Sequence, residues 1–130
     1  MCKLNRPKNR KSLIFFQEFI GSEFAIFKLG VSGVIRVIEV DTNHFKGNFP
    51  DSISIDGAQI RSAENEDEDE KKWTESPQIW TTQILPLQKL GPHRRHFFLS
   101  EILRHESVTH VKISIKPDGG ISRIRLLGVV

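Results

Sequence analysis

The stretch Asp41-Thr-Asn-His-Phe-Lys-Gly-Asn-Phe-Pro-Asp51 gathers amide, imidazole, ammonium and carboxylate groups within one short segment. A chain reversal alone does not require that inventory, and loops carried on a rigid frame are where binding and catalytic groups collect. Asp41 and Asn43 can accept hydrogen bonds from N–H groups, and Asn43 and Asn48 can also donate to a carbonyl. His44 exchanges a proton near neutral pH, which suits a general acid or base. Lys46 offers a positive charge to a carboxylate, and Gly47 lets a ligand come close to the backbone. His44 and Asp41 are therefore the candidate catalytic residues, and Asn43, Lys46, Asn48 and Arg123 the candidate ligand contacts. His96 and Asp118 stand in a second rank. Each residue also has a plainer reading. Asp41 can close an Asx turn, Asn43 and Asn48 can cap the loop, and His44 can be a hydrogen-bonded loop histidine. Lys46 and Arg123 can be solvated charges, and Phe45 and Phe49 read as plugs at the end of the frame.

The elements that must position this loop read as strands. Glu23-Phe-Ala-Ile-Phe-Lys-Leu29 is apolar and aromatic and ends at Gly30; Val34-Ile-Arg-Val-Ile-Glu-Val40 is rich in β-branched residues. Arg36 and Glu39 fall on opposite faces of the second run at period two, so its alternation is imperfect. Ile53 and Ile55 share a face, as do Val111, Ile113 and Ile115, and then Ile124 and Leu126. Pro117-Asp-Gly-Gly120 between the last two runs predicts a β-hairpin. Ile79–Leu85 is a further strand candidate, and Leu99–His105 predicts a short helical turn capped by Ser100, or a strand. Many short strands with Gly and Pro punctuation and almost no helix predict an all-β sandwich or jelly roll.

At 130 residues the chain is one domain. Residues 1–21 form a basic N-terminal segment that reads as flexible, and residues 22–130 form the domain, with a charged insert near 61–75. Lys3, Arg6, Lys8, Arg10 and Lys11 are not interleaved with aromatic residues, so nucleic acid is not the expected partner. Cys2 is the single cysteine, which excludes an internal disulfide. Leu13–Ile20 is interrupted by Gln17 and Glu18 and lacks an Ala-x-Ala cleavage pattern, so it does not read as a signal peptide. No run approaches the length of a membrane helix. His93-x-x-His96 lacks the neighbouring carboxylates and cysteines of a metal site, so no metal or other cofactor is expected.

Three segments carry a resemblance to the allantoicase family. They are the 41–51 stretch, Ile84-Leu-Pro-Leu-Gln-Lys-Leu-Gly-Pro92 with His96-Phe-Phe98, and the segment from Thr109 to Gly128. They occur in the family's order, and residues 22–128 resemble the second of its two tandem domains. The resemblance implies a galactose-binding-like jelly-roll β-sandwich. It implies an amidinohydrolase that converts allantoate to ureidoglycolate and urea in allantoin and purine degradation. It also implies a cytoplasmic location, with the peroxisome as the alternative, and association with another allantoicase domain or a second copy of the chain. Family members often carry cysteines around the positions of Ile53 and Ala58, and this chain has none there. Two further readings fit the same architecture: a non-catalytic binding module, and a truncated fragment without activity.

Overall fold

A computed structural model describes residues 21–60 and 77–130 of the chain. The basic segment 1–21, except its last residue, and the charged insert near 61–75 lie outside the described residues. Among the described residues the strands are β1 (Glu23–Asp41), β2 (Ser52–Ala58), β3 (Thr82–Lys89), β4 (Arg95–Phe98), β5 (Val108–Lys116) and β6 (Arg123–Val129), with a 3₁₀ turn at Pro77–Ile79. They form an antiparallel sheet ordered β3-β2-β5-β1-β4, with β6 also paired to β1.

β1 ties the layers of the sandwich together. Its first part, from Glu23 to Lys28, pairs with β5, while Val34 to Asp41 pairs with β6 and Ile38 to Asp41 with β4. The two apolar runs that read as separate strands are therefore one 19-residue strand that passes from one layer to the other. The crossing falls at the register shift between Lys28 and Gly33. A second irregularity, between Ile35 and Val37, absorbs one residue. It lets Ile35, Ile38 and Val40 all be buried although period two alone would not place them together.

The alternating residues fill one core. Ile53 and Ile55 of β2, Ile84 and Leu85 of β3, and Val111, Ile113 and Ile115 of β5 meet Ile38 and Val40 of β1 and Phe98 of β4. Ile124 and Leu126 of β6 pack against this cluster from its edge. Each fully buried Ile or Leu contributes roughly 1.5–3 kcal/mol of transfer free energy, so the frame beneath the loops is stiff. The result is the all-β jelly-roll sandwich that the strand pattern and the resemblance anticipate.

Local expectations differ in three places. Val108–Lys116 and Arg123–Val129 are not a hairpin: β5 pairs with β1 and β2, and β6 pairs with β1. The Pro117–Gly120 turn instead carries the chain from one layer to the other. Leu99–His105 forms bends and a turn, neither helix nor strand. β3 runs on through Pro86 to Lys89; it pairs with β2 alone among the described strands, and an edge position tolerates a residue without an N–H.

Candidate functional site

The 41–51 loop leaves the end of β1 and is fastened on both sides. Asp41 lies between Arg95 of β4 and Arg123 of β6 in the strand registers. Its Oδ1 accepts the Asn43 N–H at 2.8 Å, an Asx turn. Its carbonyl accepts the Ser122 N–H at 2.8 Å, and the Ser122 hydroxyl donates to the Asn43 carbonyl. Thr42 is fully buried. Its hydroxyl donates to Gly91 O at 2.8 Å and accepts the Arg94 N–H at 3.2 Å, while its own N–H donates to Arg94 O at 2.9 Å. Thr42 thereby bolts this loop to the 90–94 loop. Nothing in a loop sequence marks a hydroxyl that will be buried, so Thr42 carries no signal in the sequence alone.

Two histidines complete that junction. His44 and His93 have φ values of +72° and +44°, both in the left-handed region. Such a backbone costs a residue with a Cβ on the order of 1 kcal/mol. The His44 N–H donates to His93 Nδ1 at 2.8 Å, and the His93 N–H donates to Phe45 O at 3.1 Å. The two rings lie 5.8 Å apart, centre to centre, and both residues are exposed. His96 is fully engaged: Nδ1 lies 2.9 Å from Val40 O and Nε2 accepts the Gly91 N–H at 2.8 Å. A carbonyl partner requires the hydrogen on Nδ1, so Nε2 carries the lone pair. His96 is thus a structural tie, and its lone pair is already directed at Gly91 N–H. No group of three or more His, Cys, Asp or Glu among the described residues converges to hold a metal.

On the other side of Phe45 the loop faces the 117–120 turn. An open cleft of about 600 Å³ lies there, lined by Glu23, Asn48, Phe49 and Asp51 and by Pro117, Asp118 and the backbone of Gly47, Gly119 and Gly120. Its volume falls within the usual range for small-molecule sites, about 300–1,000 Å³. Two glycines let the walls meet. Gly119 has a φ of +132°, and a Cβ there would stand 2.6 Å from Pro50 N. Gly120 leaves room for the Phe45 ring and donates its N–H to Asn48 O at 2.8 Å. Phe45 therefore packs between loop and turn, as a plug.

Of the residues singled out in the sequence, Asn48 and Asp118 line the cleft. His44 sits with His93 away from the cleft lining, and Lys46 is exposed beside it. Asn43 is held through its backbone at the junction, and Arg123 is exposed on β6 opposite Asp41. Glu23 and Asp51 also line the cleft; the sequence offered them only as a strand residue and the loop's last residue. Behind the loop, Arg95 Nε donates to Glu39 Oε1 at 2.7 Å, and Arg125 stands 3.5 Å from the other carboxylate oxygen. The Arg95 hydrogen bond, reinforced by the charges of Arg95 and Arg125, holds the Glu39 carboxyl below its ordinary value against the opposing effects of burial and of the Asp41 charge.

An all-β sandwich of this kind belongs to the class of jelly-roll domains, here with an open cleft between loops at one end. Residues 8–130 match the allantoicase repeat. The chain belongs to the allantoicase repeat family. It is 42% identical over 110 residues to a protein of Pseudomonas fluorescens strain Pf-5 named "Probable allantoicase", which covers 85% of this chain and 31% of that protein. It is 43% identical over 107 residues to the allantoicase of Dictyostelium discoideum, covering 82% of this chain and 27% of that one. The crystal structure of allantoicase from Saccharomyces cerevisiae superposes with a TM-score of 0.62 at 33% identity, over 83% of this chain and 28% of that one. The structure of XRCC1 bound to the DNA polymerase β catalytic domain matches at a TM-score of 0.60 and 12% identity, over 85% of this chain and 75% of that one, a likeness of fold alone. The chain spans about a third of the length of the curated relatives it matches. No helix among the described residues is long and apolar enough to cross a membrane.

Proposed function

We propose that this chain acts as an allantoicase repeat on allantoate, releasing urea, and that its loop end supplies contacts to that ureido acid. The match of residues 8–130 to the allantoicase repeat carries this reading. The cleft chemistry is compatible with it. Allantoate holds one carbon bonded to a carboxylate and two ureido groups. Ureido N–H groups need acceptors, which Asn48, Asp51, Asp118 and Glu23 offer along the cleft. Ureido oxygens need donors, which the Asn48 and Asn43 amides offer. The substrate carboxylate needs a cation, and Lys46 is the exposed cation of this loop, with Arg123 at its margin.

Hydrolysis breaks one bond between the central carbon and a ureido nitrogen. Water supplies the hydroxyl that stays on the carbon and the proton that leaves with urea. His44 is the group proposed to deliver that proton, because its ring is exposed and its backbone is fixed by His93; since it lies off the cleft lining, the ureido acid must reach past Phe45 to the histidine side. Asp41 acts by holding the turn beneath His44, since its Oδ1 is committed to Asn43 N–H. No step of this scheme calls for a metal or an organic cofactor. We propose the cytoplasm as its compartment, with the peroxisome as the alternative, and a second domain of the family or a second copy of the chain as partner.

The test is urea release from allantoate by the purified 130-residue chain, with and without added divalent metal. Turnover that falls at least a hundredfold in His44→Ala is the expected result, the usual loss with a general acid. Unchanged turnover in that variant removes His44 from the mechanism. The absence of His44 from the cleft lining favours one second reading, a non-catalytic domain that binds allantoate without turning it over. Binding without urea release would select that reading.

A further inference from the structure

The geometry points to His93 as a substrate-binding residue, a neutral imidazole whose Nε2–H is presented to an oxygen of the bound ureido acid. This inference rests on the reading of the loop end as an allantoate site. His93 Nδ1 accepts the His44 N–H at 2.8 Å. An amide N–H always donates, so Nδ1 must carry its lone pair, and the ring hydrogen of the neutral imidazole sits on Nε2. That tautomer makes Nε2 a donor. It cannot serve as a base or bind a metal without losing the hydrogen.

Among the described residues nothing accepts from Nε2–H, and the residue is exposed. The ring is held at Nδ1 and through its backbone: the backbone N–H of His93 is tied to Phe45 O at 3.1 Å, Nδ1 is tied to the loop, and the backbone sits in the left-handed region at φ +44°. A donor whose orientation is fixed before the ligand arrives loses little freedom on binding. It lies 5.8 Å, centre to centre, from the His44 ring, so one small molecule can touch both. Carbonyl or carboxylate oxygens are the acceptors that suit it. Ammonium groups and other cations are excluded, because a neutral N–H donor offers them no lone pair.

His93→Asn separates this role from a positioning role. The Asn side-chain oxygen takes the place of Nδ1 as acceptor for His44 N–H, and Asn tolerates a left-handed backbone. Its amide N–H groups fall near the place of the ring's Cδ2, closer to the backbone, so what disappears is the N–H at the Nε2 position. Two measurements on the full 130-residue chain decide the matter. Nitrogen-15 spectra of the histidine rings should show His93 protonated at Nε2 and bare at Nδ1; the reverse tautomer overturns the inference. Titration with allantoate should show the Asn variant binding about two- to tenfold more weakly than wild type, the loss of one neutral hydrogen bond, with the His44 amide signal in place. Equal binding in the two proteins means that His93 only positions His44, and overturns this inference alone. No allantoate binding by the wild-type chain overturns the functional reading and this inference with it, even where the tautomer is the expected one.

Discussion

Replacing Thr42 with Val keeps the shape of a fully buried side chain and removes one hydroxyl. That hydroxyl donates to Gly91 O at 2.8 Å and accepts from Arg94 N–H at 3.2 Å. The Arg94 carbonyl keeps its bond from Thr42 N–H at 2.9 Å, so two backbone groups lose a partner, not three. A buried polar group left without a partner costs about 1–3 kcal/mol. Gly91 is buried and should bear that cost in full; Arg94 is exposed and its N–H can recruit water, so its share is smaller. The sum is about 2–4 kcal/mol. With a urea m-value of about 2 kcal/mol per molar, the unfolding midpoint should fall by about 1–2 M at unchanged m. Thr42→Ser keeps the hydroxyl and loses only a methyl, so it should cost about 1 kcal/mol. Urea titrations of the three proteins, followed by tryptophan fluorescence and circular dichroism, check the argument. A Val variant within about 0.5 kcal/mol of wild type, or a Ser variant worse than Val, refutes the bolt between the two loops.

Further outcomes follow from the same geometry. Gly119→Ala should destabilise by at least about 1–3 kcal/mol, because its φ is +132° and its Cβ would press on the Phe49–Pro50 backbone; thermal melting checks it. Glu39 titrates below its ordinary 4.5, chiefly through the Arg95 hydrogen bond, so its contribution is fully present above that value and is lost as pH falls through the folded value. Glu39→Gln should remove that part of the acid-side loss in a stability–pH profile. Asp56 runs the other way. Burial raises it above 3.8 against the nearby Lys112 charge, so the native state is weakened as pH rises from 3.8 through the folded value. Asp56→Asn should therefore gain stability over wild type at neutral pH, measured by urea unfolding, and should lose that advantage near pH 3.

Much of the frame is legible from residue types. Ile53 with Ile55, and Val111 with Ile113 and Ile115, alternate because one face of each strand is buried, and those residues form the core. The crossing strand is not legible. Gly30 and Gly33 look like punctuation, yet β1 continues past them while changing layers. The hairpin expectation failed for a similar reason: Pro117-Asp-Gly-Gly has turn chemistry, but turn chemistry does not choose which strands pair. That choice was made by the burial of Ile113 and Ile115 between β1 and β2. β4 escaped notice because it spans four residues, two of them an Arg and an exposed Phe. In the loop, residue types located the 41–51 segment but not its division. Phe45 separates a histidine side from a cleft side, and Asp41 serves the turn. The partners that decide this, Thr42, Gly91, His93 and Gly120, gain their meaning only from contacts distant in sequence.

The most direct test is a nitrogen-15 spectrum of the chain with increasing allantoate. The account predicts saturable shifts centred on Asn48, Gly119 and Gly120 on one side of Phe45 and on His44 and His93 on the other. Shifts absent there, or confined to the far end of the sandwich around Gly30 and Leu127, would contradict it.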